Sequence, residues 1–114
     1  MHELSIAQSL LDIVIDEAAR HGVQSLKRVG VKVGAFSAVV PDSLRFCWDL
    51  IIEDTPAAGS ELAIEEVPLR GRCHACGARI DMSDPVFECP ECGSADMELT
   101  QGQELMVAYI ETED

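Results

Sequence analysis

Two Cys-x-x-Cys pairs constrain this 114-residue chain more than any other feature of its sequence. The first pair is Cys73 and Cys76, the second is Cys89 and Cys92, and 12 residues lie between the pairs. Two residues between cysteines let one turn of backbone direct both sulfurs at one metal ion, and a glycine follows each second cysteine. Four thiolates leave no open coordination position, so the spacing predicts a structural zinc ribbon. The metal would supply folding free energy that a segment of about 30 residues cannot obtain from its own core.

Other uses of these four cysteines are less consistent with the sequence. A redox dithiol needs one exposed pair instead of two matched pairs, and disulfides are rare in a chain without a secretion signal. The second pair, Cys-Pro-Glu-Cys-Gly, resembles a rubredoxin knuckle, but rubredoxins pack aromatic residues around their iron, and Phe87 is the one aromatic residue in 70–102. That segment also holds three basic residues against six acidic ones, a balance that disfavours phosphate contacts. Zinc is therefore the prediction, and iron is the main rival.

Composition and charge exclude several classes of protein. Eight Lys and Arg residues against 21 Asp and Glu residues give a formal charge of -13, which opposes nucleic-acid binding. The hydrophobic fraction of 47% predicts a packed core. No apolar run reaches the roughly 18–20 residues that span a bilayer, and the first residues lack the basic region of a signal peptide. We expect a cytoplasmic protein with no membrane or nucleic-acid partner.

Hydrophobic periodicity predicts the elements outside the cysteine segment. Apolar residues at steps of three and four indicate amphipathic helices, and alternating apolar residues indicate strands. The predicted helices cover 4–21 and 41–54, and the predicted strands cover 28–33, 62–69 and 103–112. The expected fold is α+β, with two helices packed on a sheet of at least three strands and the ribbon inserted between the last two strands. The predicted domains are 1–69 plus 103–114 for the α+β domain and 70–102 for the zinc ribbon.

Three further side chains could react or bind metal. Cys47 lies in an apolar stretch and is interpreted as a buried small hydrophobe, with a reactive thiol as the alternative. His21 ends the first predicted helix, where a positive charge suits the helix dipole, and its role is interpreted as structural. His74 lies inside the first cysteine pair and is interpreted as a solvent-facing residue, with replacement of a protonated thiolate as the alternative.

The N-terminus, Met1-His2-Glu3, has the donors for a second metal site. The α-amine of Met1, the amide nitrogen of His2 and the His2 imidazole can close two adjoining chelate rings on one ion, and Glu3 can add an oxygen. An ionised amide is a strong in-plane donor that suits square-planar Ni(II) or Cu(II). On these three residues alone, an ordinary solvated terminus remains the favoured interpretation.

Three stretches taken together resemble the HypA/HybF family. They are the start Met-His-Glu-Leu-Ser, the stretch Val31-Lys-Val-Gly-Ala-Phe-Ser37 before a helix opened by Pro41, and the two late cysteine pairs. The resemblance covers essentially the whole chain, in the same order. Members of this family are nickel metallochaperones for the maturation of [NiFe]-hydrogenases, and some members also serve urease maturation.

The resemblance implies a role for each matching residue. His2 would be the essential nickel ligand, the Met1 amine and the His2 amide would bind beside it, and Glu3 would be a ligand or lie next to the ligands. The four cysteines would hold zinc. In some members, histidines flank the cysteine pairs and are linked to a zinc site that responds to nickel or acid. Here His74 lies within a pair, which argues against that response.

The resemblance also implies partners and a mode of action. Ni(II) would be transferred cargo and Zn(II) structural, a HypB-type GTPase would be the usual partner, and the precursor of the hydrogenase large subunit would be the client. We expect no enzymatic activity, because the sequence shows neither a paired nucleophile and base nor a phosphate-binding glycine loop. Two alternatives remain, namely a zinc-ribbon adaptor without transferable metal and a rubredoxin-like iron carrier.

Overall fold

In a computed structural model, residues 2–82 and 88–113 are described, and they contain two α-helices and six β-strands. The chain divides into two compact units. The first comprises Met1–Lys32, Val39–Glu65 and Met106–Asp114, and the second comprises Val33–Ala38 and Glu66–Leu105. The predicted fold class is confirmed, since two helices and two three-stranded sheets are present, and the cysteine pairs lie at or between the strands of one sheet.

Helix α1 spans His2–Arg20, two residues earlier at its start than the periodicity indicated. Its buried side chains recur at the spacing of an amphipathic helix, as predicted. They are Ala7, Leu10, Leu11, Val14 and Ala18. Gly22 follows the last turn with a φ of 66°, a left-handed conformation that glycine adopts without a Cβ penalty and that commonly ends a helix.

Helix α2 spans Pro41–Ile51 and ends three residues before the predicted Asp54. Pro41 lies in the first turn, where its missing N–H costs no intrahelical bond. Asp54 has a φ of 62°, which no α-helix accommodates, and the Thr55 hydroxyl donates to the carbonyl of Ile52 at 2.6 Å. A local side-chain bond to the backbone therefore ends the helix where hydrophobicity alone would continue it.

The two helices pack against each other in the first unit. Leu44 and Trp48 of α2 are fully buried, whereas Cys47 is partly exposed. The indole Nε1 of Trp48 donates to Ser60 Oγ at 3.2 Å, and Ser60 is itself buried. Neither helix in the described part of the chain is long and apolar enough to cross a bilayer.

The first sheet has the strand order β2-β1-β6. Its strands are β1 (Leu26–Gly34), β2 (Glu61–Val67) and β6 (Leu105–Thr112). Val29, Val31 and Val33 of the central strand are buried, which confirms the alternation read from the sequence.

A three-residue ion network crosses this sheet at Arg28. Its Nη1 donates to both carboxylate oxygens of Glu111 at 2.8 Å, and its Nε donates to Glu61 Oε1 at 3.0 Å. Bonds to Glu61 and Glu111 raise the pKa of Arg28. One guanidinium on the central strand thus links side chains from both neighbouring strands.

The second sheet has the order β4-β3-β5, and both pairings are antiparallel. Its strands are β3 (Leu69–Cys73), β4 (Arg79–Met82) and β5 (Met97–Gln101). The sequence prediction joined 62–69 into one strand, but Pro68 separates β2 from β3, because proline has no N–H to donate to a ladder.

A short 3-10 helix, Ala35–Ser37, also belongs to the second unit. The backbone N–H of Phe36 donates to the carbonyl of Gly102 at 2.7 Å. A Cβ at Gly34 would overlap that same carbonyl. The Val-Gly-Ala stretch therefore needs glycine because two backbones approach closely at this point.

Candidate metal centres

The four-cysteine site is built from two turns of the same design. Cys73 ends β3, and the N–H of Gly77 donates to its carbonyl at 2.8 Å. In the second turn the N–H of Gly93 donates to the carbonyl of Cys89 at 2.7 Å. Both glycines have left-handed backbones, with φ of 77° and 78°. The glycine after each pair is therefore required by the turn, as the sequence indicated.

These turns bring all four sulfurs together. The sulfur atoms of Cys73, Cys76, Cys89 and Cys92 lie within 4.8 Å of one another. Sγ of Cys73 is 3.6 Å from Sγ of Cys92, and Sγ of Cys76 is 3.7 Å from Sγ of Cys89. Tetrahedral Zn–S bonds of about 2.3 Å imply S···S separations of about 3.8 Å. The donor set therefore fits one four-coordinate metal, and the cysteines are not disulfide-bonded.

Burial and backbone dipoles differ among the four thiols. Cys73 and Cys89 are buried, whereas Cys76 and Cys92 are exposed. The backbone amide of Cys76 lowers the pKa of the Cys73 thiol to about 7. The backbone amide of Ser94 lowers the pKa of Cys92, but the Cys73 thiol and burial outweigh it and raise that pKa to about 12. Because the thiols oppose one another's ionisation, a bound cation is needed to hold all four as thiolates.

His74 lies at this site but faces two carboxylates. Its Nε2 is 2.6 Å from Glu98 Oε1 and its Nδ1 is 3.3 Å from Asp96 Oδ1. Glu98 and then Asp96 raise the pKa of His74. The ring is about half exposed, at 47%. Apart from the i, i+2 spacing of Asp96 and Glu98, no sequence pattern indicates these contacts, because the approach of the two acids to His74 depends on the pairing of β3 with β5.

The second candidate site lies at the start of α1. Met1 and the side chain of His2 lie outside the described residues, and the backbone of His2 begins the helix. Glu3 occupies the first turn, and its Oε2 accepts a hydrogen bond of 3.3 Å from the backbone N–H of Val40. Val40 is the residue that precedes α2. Sequence reasoning missed this bond, because Glu3 and Val40 are 37 positions apart.

The chain is similar to known proteins along its whole length. A family model described as "Hydrogenase/urease nickel incorporation, metallochaperone, hypA" matches residues 1–112. "Hydrogenase maturation factor HypA" of Crocosphaera subtropica is 39% identical over 114 residues, covering 100% of this chain and 97% of that protein. The protein of the same description from Chloroflexus aurantiacus is 42% identical, covering 98% and 99% respectively.

Two solved structures share the fold. The solution structure of the Ni metallochaperone HypA from Helicobacter pylori superposes with a TM-score of 0.69 at 21% identity and covers 96% of both chains. A second solution structure, of a HypA protein, gives a TM-score of 0.74 at 23% identity over 98% of this chain and 96% of that one.

Proposed function

The chain belongs to the HypA family of nickel-incorporation metallochaperones, and from this premise we propose that it binds Ni(II) at its N-terminus and delivers it to the precursor of a [NiFe]-hydrogenase large subunit. The proposed ligands are the α-amine of Met1, the amide nitrogen and imidazole of His2, and Glu3 as a further ligand or neighbour. The observation that carries the proposal is the start of α1 at His2.

Helix geometry supports an amide donor at this position. The first four N–H groups of an α-helix have no intrahelical acceptor. Ionising the His2 amide for metal binding therefore breaks no bond of α1, whereas the same ionisation in mid-helix would break one. The amine, amide and imidazole then form the two chelate rings that suit square-planar Ni(II).

Charge at the helix end supports an acidic neighbour. The N-terminus of a helix carries a partial positive charge, which opposes a bound cation. Glu3 lies in this first turn and offsets that charge. Its bond to the Val40 N–H holds the carboxylate near the terminus.

The four-cysteine site supports a different task. Four thiolates would hold Zn(II) with no position left for exchange, so the metal would stabilise the ribbon and take no part in transfer. A cargo ion needs few and exchangeable ligands at an accessible place, which a chain terminus provides. We assign cargo to 1–69 plus 103–114 and a structural role to 70–102.

The proposed partners are the ones that membership in this family implies. The client is the large-subunit precursor, and a HypB-type GTPase assists the transfer in the cytoplasm. The chain itself is proposed to be no enzyme, since binding and releasing an ion requires no bond-making residue.

A nickel titration of the untagged protein tests the cargo site. Wild type is compared by calorimetry and absorbance with His2→Ala and with a form extended before Met1. We expect about one equivalent of square-planar nickel in wild type and at least about tenfold weaker binding in both variants. His21→Ala is the matched control, because His21 lies at the other end of α1 with a side chain 73% exposed.

The outcomes separate the proposal from its rivals. Equal binding by all four forms, or none, would favour a zinc-ribbon adaptor without transferable metal. A red protein with ferric thiolate absorbance would indicate the rubredoxin-like carrier, because the zinc form is colourless. Delivery is tested by hydrogenase activity in cells whose only copy of this gene carries His2→Ala or His21→Ala, and equal activity in both would contradict it.

A further inference from the structure

An open groove of about 330 Å³ lies on the second sheet. Its lining residues come from all three strands of that sheet. They are Arg70, Gly71, Arg72, Arg79, Thr100 and Gln101. Three arginines therefore line one concavity of a chain that has only eight basic residues and a formal charge of -13.

Strand register places two of these arginines directly opposite each other. Arg72 of β3 pairs with Arg79 of β4, and Arg70 pairs with Asp81. Directly opposed side chains share a face with Cβ atoms about 4.5–5.5 Å apart, and like charges in that position are destabilising. The pairing of Arg72 with Arg79 is therefore unfavourable in the free protein.

The nearby carboxylates are already engaged. Asp81 Oδ1 contacts Arg70 Nε at 2.7 Å. Glu98 lies opposite Arg72 on β5, but its Oε1 is held by His74 Nε2 at 2.6 Å. Within 2–82 and 88–113, no ion pair or hydrogen bond joins the guanidinium of Arg72 or Arg79 to another side chain. Two adjacent guanidinium groups thus lack an anion.

The chemistry of the missing anion follows from the shape of these donors. A guanidinium is a planar fork that binds a carboxylate through two parallel N–H···O bonds. Two neighbouring forks suit two neighbouring carboxylates. At physiological ionic strength the Debye length is about 8 Å, so the acidic surface farther away is largely screened, and the groove sets three arginines against its cross-strand neighbours Asp81 and Glu98.

We propose that this arginine groove, defined by Arg70, Arg72 and Arg79, binds an acidic segment of a partner protein through adjacent Asp or Glu side chains. Nucleic acid fits less well, because it needs a row of cations along its backbone and the ribbon is acidic outside the groove. The groove contains none of the proposed nickel or zinc ligands, so the inference stands independently of the N-terminal site.

The test uses the full-length zinc-loaded protein and a fluorescein-labelled hexaglutamate peptide, followed by fluorescence anisotropy at low and physiological salt. Arg72→Gln/Arg79→Gln should bind at least about tenfold more weakly than wild type, since charge-assisted bonds are lost. Arg72→Lys/Arg79→Lys should fall between the two, because charge remains and the forks are gone.

The matched control is Arg20→Gln/Arg45→Gln, which removes two positive charges from arginines that already have acidic partners. It should bind the peptide as wild type does. The glutamine pair in the groove should also unfold at the same or a higher temperature than wild type, because an opposed like-charge pair has been removed.

Three results would overturn the inference. They are equal peptide binding by wild type and the groove glutamine pair, equal loss in the Arg20 and Arg45 control, and binding of inorganic phosphate without binding of hexaglutamate. The last result would identify a small-anion site in place of a peptide site.

Discussion

Glu3 and Val40, at the starts of the two helices, are joined by a hydrogen bond of 3.3 Å from the Val40 N–H to Glu3 Oε2. In a capping box, a glutamate within the same helix bonds the N–H of the N-cap residue. Here Val40 is the N-cap residue of α2 and the glutamate comes from α1. One carboxylate therefore belongs both to the proposed nickel site and to the start of the neighbouring helix.

Two substitutions at Glu3 separate these roles. Glu3→Gln keeps an oxygen acceptor for the Val40 N–H but removes the charge, whereas Glu3→Ala removes both. We expect Glu3→Ala to lower the free energy of unfolding by about 1 kcal/mol and Glu3→Gln to leave it nearly unchanged. Both should weaken nickel binding in calorimetry. Full nickel affinity in Glu3→Gln would show that the charge of Glu3 plays no part in holding the ion.

The buried bond between Trp48 and Ser60 should matter for stability. Ser60→Ala leaves the indole N–H of a fully buried tryptophan without its acceptor at 3.2 Å. We expect a loss of about 1–3 kcal/mol in urea unfolding, the usual cost of an unsatisfied buried donor. Ser43→Ala, at an exposed position of α2, is the control and should change stability little. Equal stability of the two variants would show that the bond from Trp48 to Ser60 does not stabilise the protein.

The ring of Tyr109 occupies the place that a Cβ at position 30 would take, so only glycine fits there without a shift of the ring. Gly30→Ala should destabilise the protein by about 1 kcal/mol, because the ring of Tyr109, which is 46% exposed, must shift to make room for the methyl group. The cost should shrink when Tyr109→Ala is also present, because the overlap is then gone. A double-mutant cycle in urea measures this coupling. Additive effects of the two changes would mean that the glycine is required for another reason.

Removing the ribbon metal should unfold the second unit selectively. Strands β3, β4 and β5 and the four cysteines lie in the second unit, and the single tryptophan, Trp48, lies in the first unit. A zinc chelator should therefore abolish amide-exchange protection in β3, β4 and β5 while the emission of Trp48 stays that of a buried indole. Cys89→Ser should give the same pattern without chelator. A red-shifted emission after chelation would show that the first unit also depends on the metal.

Much of the fold follows from local sequence patterns. The stripe on α1, the alternation of Val29, Val31 and Val33, and the spacing of the cysteine pairs each repeat within a few residues, so the backbone geometry of one element is enough to interpret them. The same patterns misplaced the end of α2, because Thr55 competes for a backbone carbonyl. They also predicted one strand where Pro68 divides the apolar stretch into two strands.

The sequence by itself determined the fold class, the cysteine donor set and the family to which the chain is similar, because each depends on the spacing of residues that are close together in the chain. Only the tertiary structure decided which distant residues meet. Arg28 binds Glu111 across 83 positions, Glu3 bonds Val40 across 37, and Arg72 stands opposite Arg79 by strand register. Such contacts depend on strand pairing and helix packing. A shift of one residue in register would turn every side chain of a strand to the other face.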